Sequence, residues 1–441
     1  MTDLASLPLN QGQQLAADGF LEFLLSDDKE LNISGPGGVG KTFLLGHIID
    51  NIIPQYQQAC LLMGVTPKYE DVVMTATTNK AADVLALNTN RPAQTVHSYF
   101  NLKVQDDYSN GTSKVTKTKM WVVHSKKIIF IDEASMVDRV LYEYIQDGTL
   151  DCKVIYVGDR KQLAPVKEKI SRVYSQNLPM FELTEPMRTD IPELQALNQQ
   201  FRDTVGELGN PGPWLPIQTY PGIIEYLNDE EMEQSIIENF TDMHHRHRIM
   251  AYTNAKVIDY NTYIRELRGL PDDIQKGEIL INNSAVRIGK FGLMGVEEEV
   301  TVWDMNFTTE HVVIDEDDPD TTLEVRYMDL QSTHGEIYAG IPVPVDRDHY
   351  AKLLQFYANR KRWVPYFHMK NTFPDLRQRD ACTVYKAQGS SYDWAYIDVG
   401  NLSTCRDPEQ AARLFYVAVS RARFGVRLYG PLAEKFGSIV V

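Results

Sequence analysis

The segment Gly35-Pro36-Gly37-Gly38-Val39-Gly40-Lys41-Thr42 has the GxxxxGKT spacing of a phosphate loop. Its glycines let backbone amides turn inward on a β-phosphate, Lys41 can reach the β- and γ-oxygens, and the Thr42 hydroxyl can ligate Mg2+. A glycine-rich turn with no ligand is the alternative. The apolar run LNIS before the loop and the helical pattern FLLGHII after it favour the phosphate reading. Such a loop needs a carboxylate partner, and IIFIDEAS supplies one: the apolar run Ile128 to Ile131 delivers Asp132 and Glu133 at its carboxyl end. Asp132 is expected to hold Mg2+ and Glu133 to orient an attacking water, which together describe hydrolysis of a nucleoside triphosphate.

Three other nucleotide chemistries compete. Thr78-Asn79-Lys80-Ala81-Ala82-Asp83 resembles a guanine-reading NKxD element, but Ala82 stands where the aspartate belongs, and DEAS replaces the DxxG switch. A small-molecule kinase would leave the C-terminal half without a role. A non-hydrolysing, nucleotide-gated binding protein differs in having no need of Glu133 for turnover.

These groups require a scaffold of parallel strands and helices. Apolar runs at Leu31 to Ser34, Val72 to Ala76, Ile128 to Asp132, Val154 to Gly158, Arg248 to Thr253, Trp394 to Val399 and Val426 to Gly430 read as strands alternating with helical stretches. Between them, residues 277–379 read as a β-rich insertion with strands GEILINN, EEEVTVW, TTLEVRYMDL and GEIYAGIPVPV, and one amphipathic helix from His349 to Trp363. A smaller insertion at 101–120 reads as a hairpin, because Asn110-Gly111 lies between polar β-prone runs and both residues tolerate positive φ.

At 441 residues, with 43% hydrophobic and 24% charged residues, the chain has the composition of an ordered globular protein. Cys60, Cys152, Cys382 and Cys405 form no CxxC pair, so a reducing compartment is expected. The N-terminus lacks a basic start and apolar core, and no apolar run approaches the ~18 residues of a membrane span, so a cytoplasmic location is expected. A formal charge of −16 excludes a protein that coats nucleic acid with its whole surface. Contact with a strand must follow a local track. Thr77, Thr78 and Asn79 after one strand, and Thr253 and Asn254 after another, are placed to hold phosphates. His97, Tyr99, Phe100 and Tyr385 are candidates for base stacking, although buried core is the rival reading for Tyr99 and Phe100.

Further segments carry a resemblance. GDRKQLAPV (158–166), TATTNKAA (75–82), TVHSYF (95–100), ELTEPMRT (182–189), TVYKAQGSSYD (383–393) and YVAVSRAR (416–423) are similar, in order and spacing, to the motifs of superfamily 1 group B helicases of the Dda and RecD type. The resemblance spans nearly the whole chain. It implies two RecA-like α/β domains with parallel sheets, at 1–100 with 121–180 and at 181–276 with 380–441. The 101–120 hairpin would be a duplex-splitting pin, and 277–379 an SH3-like accessory domain whose helix, with Arg360-Lys361-Arg362 and Trp363, is an arm toward the pin.

The resemblance also implies roles. Gln13 would read the adenine edge, Gln162 would sense the γ-phosphate, Arg188 and Arg421 would be arginine fingers, Gly389 would border the nucleotide, and Lys386 would contact the strand. Tyr385 departs from the pattern, standing where a histidine often precedes that lysine. ATP and Mg2+ as cofactors are implied, with single-stranded and forked DNA as partners. A monomer moving 5′ to 3′ in replication or recombination is implied too, beside a single-strand-binding protein or replisome components. A translocase that strips proteins or acts on RNA is the alternative.

Overall fold

The computed structural model describes residues 8–165, 168–185, 189–207, 209–289 and 292–441. The chain divides into two compact units, one of residues 1–103, 115–228 and 387–441, the other of residues 104–114 and 229–386. The architecture is that of two RecA-like α/β parts with parallel strands, as expected.

In the first unit, Met180–Glu182, Glu30–Ser34, Lys153–Gly158, Lys127–Asp132, Asp71–Ala76 and Gln94–Thr95 form a six-stranded parallel sheet in that spatial order. Lys153–Gly158 is buried at every position, as a strand covered on both faces must be. One face packs against the helix Gln11–Leu25, where Phe20 stacks on Phe130 at 6.0 Å. Asn10 caps that helix reciprocally with Gln13. Its other end is held by Lys153, whose Nζ donates to Phe23 O and Ser26 O; burial lowers this ammonium to about 8. The same unit contains the parallel strands Ile224–Leu227, Ala422–Tyr429 and Tyr392–Asp398, and the helices Pro192–Val205 and Pro408–Val419.

The second unit begins with the parallel pair His247–Ala251 and Ala381–Thr383 beside the helices Asp229–Phe240 and Asn254–Leu267. The expected strand at Arg248 to Thr253 stops earlier because Thr253 caps the following helix, accepting from Lys256 N. The insertion is an antiparallel sheet built on Asp318–Ser332, to which Glu298–Met305, Glu310–Asp315 and Ile337–Pro344 pair. The four expected strands are present, and Glu310–Asp315 is an additional one.

The helix expected from His349 to Trp363 is Arg347–Asn359, and a second helix that was not expected, Trp363–Thr372, follows it. Pro365 explains the break. In a continuous helix its ring would meet the Lys361 carbonyl, and instead Lys361 turns to φ +55°. Arg362 fixes the corner through Asp315 and Asp317.

The hairpin strands are Leu102–Asp107 and Thr112–Lys117. Of the Asn110-Gly111 pair only Gly111 takes positive φ (+74°), because the Asp107 carboxylate holds Ser109 and Asn110 in a four-residue loop. Within the second unit a Cβ on Gly111 would lie 2.3 Å from the Trp363 ring, Tyr108 packs edge-on to Phe367, and Asn371 donates to Asp106 at 2.8 Å. Among the described residues no helix is long and apolar enough to cross a membrane.

A buried carboxylate fixes the start of Ala381–Thr383. Burial by itself would raise Asp380, but His245 at 2.7 Å and the two-pronged Arg268 outweigh it and hold the carboxyl at about 2. A depressed carboxyl contributes stability that is present above its unfolded pKa and lost as pH falls through the folded one. Unfolding free energy measured from pH 5 down to pH 2 should therefore fall by about 2–3 kcal/mol more in the parent than in Asp380→Asn. Parallel acid limbs in the two proteins would refute the assignment.

Candidate functional site

The strand Glu30–Ser34 runs into the glycine loop, which opens the helix Lys41–His47. Gly38 and Gly40 take φ +87° and +76°, a conformation that a side chain resists and that turns amides toward the loop centre. At Gly35 a Cβ would come within 2.5 Å of Leu183 O, so the loop's first position admits no side chain. Lys41 Nζ lies across the loop, donating to Gly35 O at 2.7 Å and Pro36 O at 2.9 Å. Val39 is fully buried and anchors the loop's far side. Thr42 is half-buried in the first helical turn. Gln13 is buried beside the loop. Its Nε2 donates to Val39 O at 3.2 Å and its Oε1 accepts from Asn10 N at 3.1 Å, so in this structure it braces the loop. A cavity of about 350 Å³ adjoins Pro36 and Gly37 and is also walled by Thr184, Gln195, Arg202 and Tyr416.

Asp132 and Glu133 stand at the carboxyl end of Lys127–Asp132. Burial, and then the charge of Glu133, raise Asp132 to about 7, against the Glu133 amide and Lys41, which favour the carboxylate. A half-buried carboxylate so placed fits a cation. Asp132 with the Thr42 hydroxyl makes a two-oxygen donor set of the kind that Mg2+ shares with phosphates and water. Among the described residues no three His, Cys, Asp or Glu side chains could hold a metal by themselves. Glu133 sits at φ +54°, a left-handed conformation unusual for glutamate, and its carbonyl accepts from Thr77 Oγ1 at 3.3 Å. A Cβ on Gly389 would lie 3.5 Å from Glu133 Oε1, so the two expected residues face each other.

Gln162 is 4% exposed, and its Oε1 has no partner among the described residues. Arg188 lies outside the described residues. Arg421 is 2% exposed, and its guanidinium donates to Val417 O, Ser420 Oγ and Ser390 O. In this structure it is thus engaged with its own helix end and the turn after Gly389.

The candidate strand-binding residues divide. Thr78 caps the helix Asn79–Thr89, with Thr78 and Asn79 exposed at the sheet's carboxyl edge. Thr253 and Asn254 repeat this arrangement in the second unit. His97 and Tyr385 are half-buried, and burial lowers the His97 imidazole. Lys386 donates to Asn283 and pairs with Glu297 at 2.8 Å, so a phosphate would have to compete for it.

Tyr99 and Phe100 are corrected. Phe100 is fully buried under Gly148, and Tyr99 stacks on His124 with ring centroids 4.1 Å apart. Both belong to the core between the sheet and the helix Arg139–Asp147, because a short helix at Val96–Tyr99 turns these rings inward. No base can stack there.

Sequence reasoning missed Asp159, Arg202, Arg413 and Tyr416. Asp159 Oδ1 accepts from Arg202 at 2.7 Å and Oδ2 from Tyr416 Oη at 2.6 Å, while Arg413 donates to Arg160 O and Gln162 O. Asp159 and Tyr416 lay inside motifs already singled out. Arg202 had a weaker signal, a cation flanking the apolar face Leu194, Leu197, Phe201 and Val205 of an amphipathic helix.

Residues 8–208 match the model of an AAA domain family, and residues 380–429 match a UvrD-like helicase C-terminal domain. The ATP-dependent DNA helicase Dda of Enterobacteria phage T4 is 25% identical over 95% of this chain and 98% of its own. The chain is thus similar over nearly its whole length to a Dda-type superfamily 1 helicase. An uncharacterized protein of Acanthamoeba polyphaga mimivirus is 26% identical over 44% of the Dda-like chain and 42% of its own. The fold agrees: a Pif1 helicase from Bacteroides, solved with ADP-AlF3 and single-stranded DNA, superposes with a TM-score of 0.53 at 14% identity, covering 99% of this Dda-like chain and 95% of that one.

Replacing Phe100 separates its two readings. As core, Phe100→Ala should lower unfolding free energy by about 3–5 kcal/mol in a denaturant titration. Unchanged stability with weakened binding of a single-stranded oligonucleotide would restore the stacking role.

Proposed function

We propose that the chain is an ATP-dependent DNA helicase that translocates 5′ to 3′ on single-stranded DNA and separates duplexes by coupling hydrolysis to closure of its RecA-like domains. The observation that carries this reading is the shared loop at Gln162. It lies in the same compact unit as the phosphate loop, and the helix leading to Arg421 is bonded to its backbone. The relationship to T4 Dda, a named ATP-dependent DNA helicase, supports the same reading.

In this reading the inward amides of Gly35 to Gly40 and the Lys41 ammonium hold the β- and γ-phosphates, and Gln13 lies at the adenine end. Thr42 and Asp132 hold Mg2+, which when bound draws charge from the phosphate oxygens. Glu133, held in its left-handed turn, orients the attacking water. Gln162 donates to the terminal phosphate, and Arg188 and Arg421 meet the charge that builds there. An arginine that arrives only on closure contributes on the order of 10³ or more in rate, which ties hydrolysis to domain geometry.

Thr77 to Asn79, His97, Thr253, Asn254, Tyr385 and Lys386 form the strand track. The 101–120 hairpin is the wedge, steadied by the helix Trp363–Thr372 of the 277–379 accessory domain. The protein works as a monomer in the cytoplasm, in replication or recombination, beside a single-strand-binding protein or replisome components.

ATP hydrolysis should rise sharply when single-stranded DNA is added, and Lys41→Ala should abolish it while the circular dichroism spectrum is retained. Forked duplexes with one single-stranded tail report polarity, with unwinding expected from the 5′-tailed substrate. Equal hydrolysis with and without DNA would reject the motor.

A further inference from the structure

The loop from Gly158 to Leu163 is gripped by side chains of two helices in its own compact unit. Asp159 is 1% exposed, and both of its oxygens are taken: Arg202 and the Lys161 amide donate to Oδ1 at 2.7 and 3.0 Å, and Tyr416 to Oδ2 at 2.6 Å. The Gln162 amide donates to Asp159 O at 3.1 Å, so the carboxylate and the glutamine belong to one turn. Nearly one turn before Tyr416, Arg413 donates to Gln162 O at 2.6 Å and Arg160 O at 2.8 Å. Arg202 reaches on to Glu182 at 2.8 Å. Arg421 begins where this helix stops, its amide donating to Ala418 O at 3.2 Å.

We propose that Asp159, Tyr416 and Arg413 are positioning residues that form a joint, passing a displacement of Gln162 directly to the helix Pro408–Val419, which leads to Arg421. This rests on the helicase reading of the site. The two helices already adhere through apolar contact, since Phe201 stacks on Phe415 at 5.4 Å and Trp214 packs edge-on to both. Arg202 and Tyr416, the next residue on each helix, add little adhesion, because a buried ion pair loses in desolvation most of what it gains in attraction. They add register instead. Hydrogen bonds at these distances are directional, so a loop that shifts toward a phosphate must break them or carry the helix with it. Two grips on one helix, at Arg413 and Tyr416, make carrying the easier course. Arg421 leaves Ser390 and Ser420 only when Gln162 has moved.

Tyr416→Phe tests the joint, since it deletes one hydroxyl and keeps the ring. In steady-state assays with saturating single-stranded DNA, kcat for ATP should fall about tenfold while KM for ATP stays within about twofold and the melting temperature is retained. The loss should be non-additive with Gln162→Ala, the double variant being no slower than the slower single one. Arg413→Lys covers early melting of Tyr416→Phe: reduced kcat at unchanged KM supports the joint, and full kcat overturns it. Additive losses, or losses that track melting temperature, reduce the network to a structural role and overturn the proposal. A parent protein whose hydrolysis ignores DNA removes the helicase reading itself. A stimulated parent with an unaffected Tyr416→Phe removes the joint alone.

Discussion

A carboxylate taken out of water must be matched, and the first compact unit is organised by two that are matched differently. Asp159 is paired within the chain, by Arg202 and Tyr416, and its carboxyl is held below the usual range even though burial opposes this. Asp132, only partly buried at its strand end, has among the described residues the Glu133 amide and the more distant charge of Lys41 to favour its carboxylate, and it is raised to about 7. Full pairing makes the first a fixed joint, and partial pairing makes the second a place for a cation. The unit thus joins a finished electrostatic structure to an unfinished one along neighbouring strands, Lys153–Gly158 and Lys127–Asp132. In the proposed function, a triphosphate with a metal ion would supply the charges that the unfinished half calls for.

The glycine loop with its flanking strand and helix was legible because its pattern is local. GxxxxGKT needs only a preceding strand and a following helix, and both lie within 20 residues of the motif's centre, at Glu30–Ser34 and Lys41–His47. Strand runs were legible for a similar reason, since parallel strands covered on both faces need apolar residues in succession. Tyr99 and Phe100 were ambiguous because an aromatic beside a candidate strand-binding residue has the same composition whether its ring faces a base or the helix beneath. Only the inward turn at Val96–Tyr99 decides it. Arg202 was illegible for the opposite reason: its partners lie 20, 43 and 214 residues away in the chain.

In the β-rich insertion one residue sets the direction of the chain. The helix expected to reach Trp363 stops at Asn359, because in a continuous helix the Pro365 ring would meet the Lys361 carbonyl, and the chain turns at Lys361. That turn gives the second helix a new direction, and Trp363 at its start covers Gly111 at the hairpin tip. The hairpin loop complements this: the absence of a side chain at Gly111 makes room for the indole, and Asp106 accepts from Asn371 beside it. The hairpin needs such support, because an isolated two-stranded hairpin is marginal in water.

In the proposed cycle the terminal phosphate draws Lys41 and Arg421 from their present partners. The most direct measurement is a structure of the protein with Mg2+, ADP, aluminium fluoride and a single-stranded oligonucleotide. The predicted result has Lys41 Nζ transferred from Gly35 O and Pro36 O to the phosphate analogue, and the Arg421 guanidinium withdrawn from Ser390 and Ser420 to the fluoride. Fluoride bound in the loop with both side chains still on those protein oxygens would contradict it.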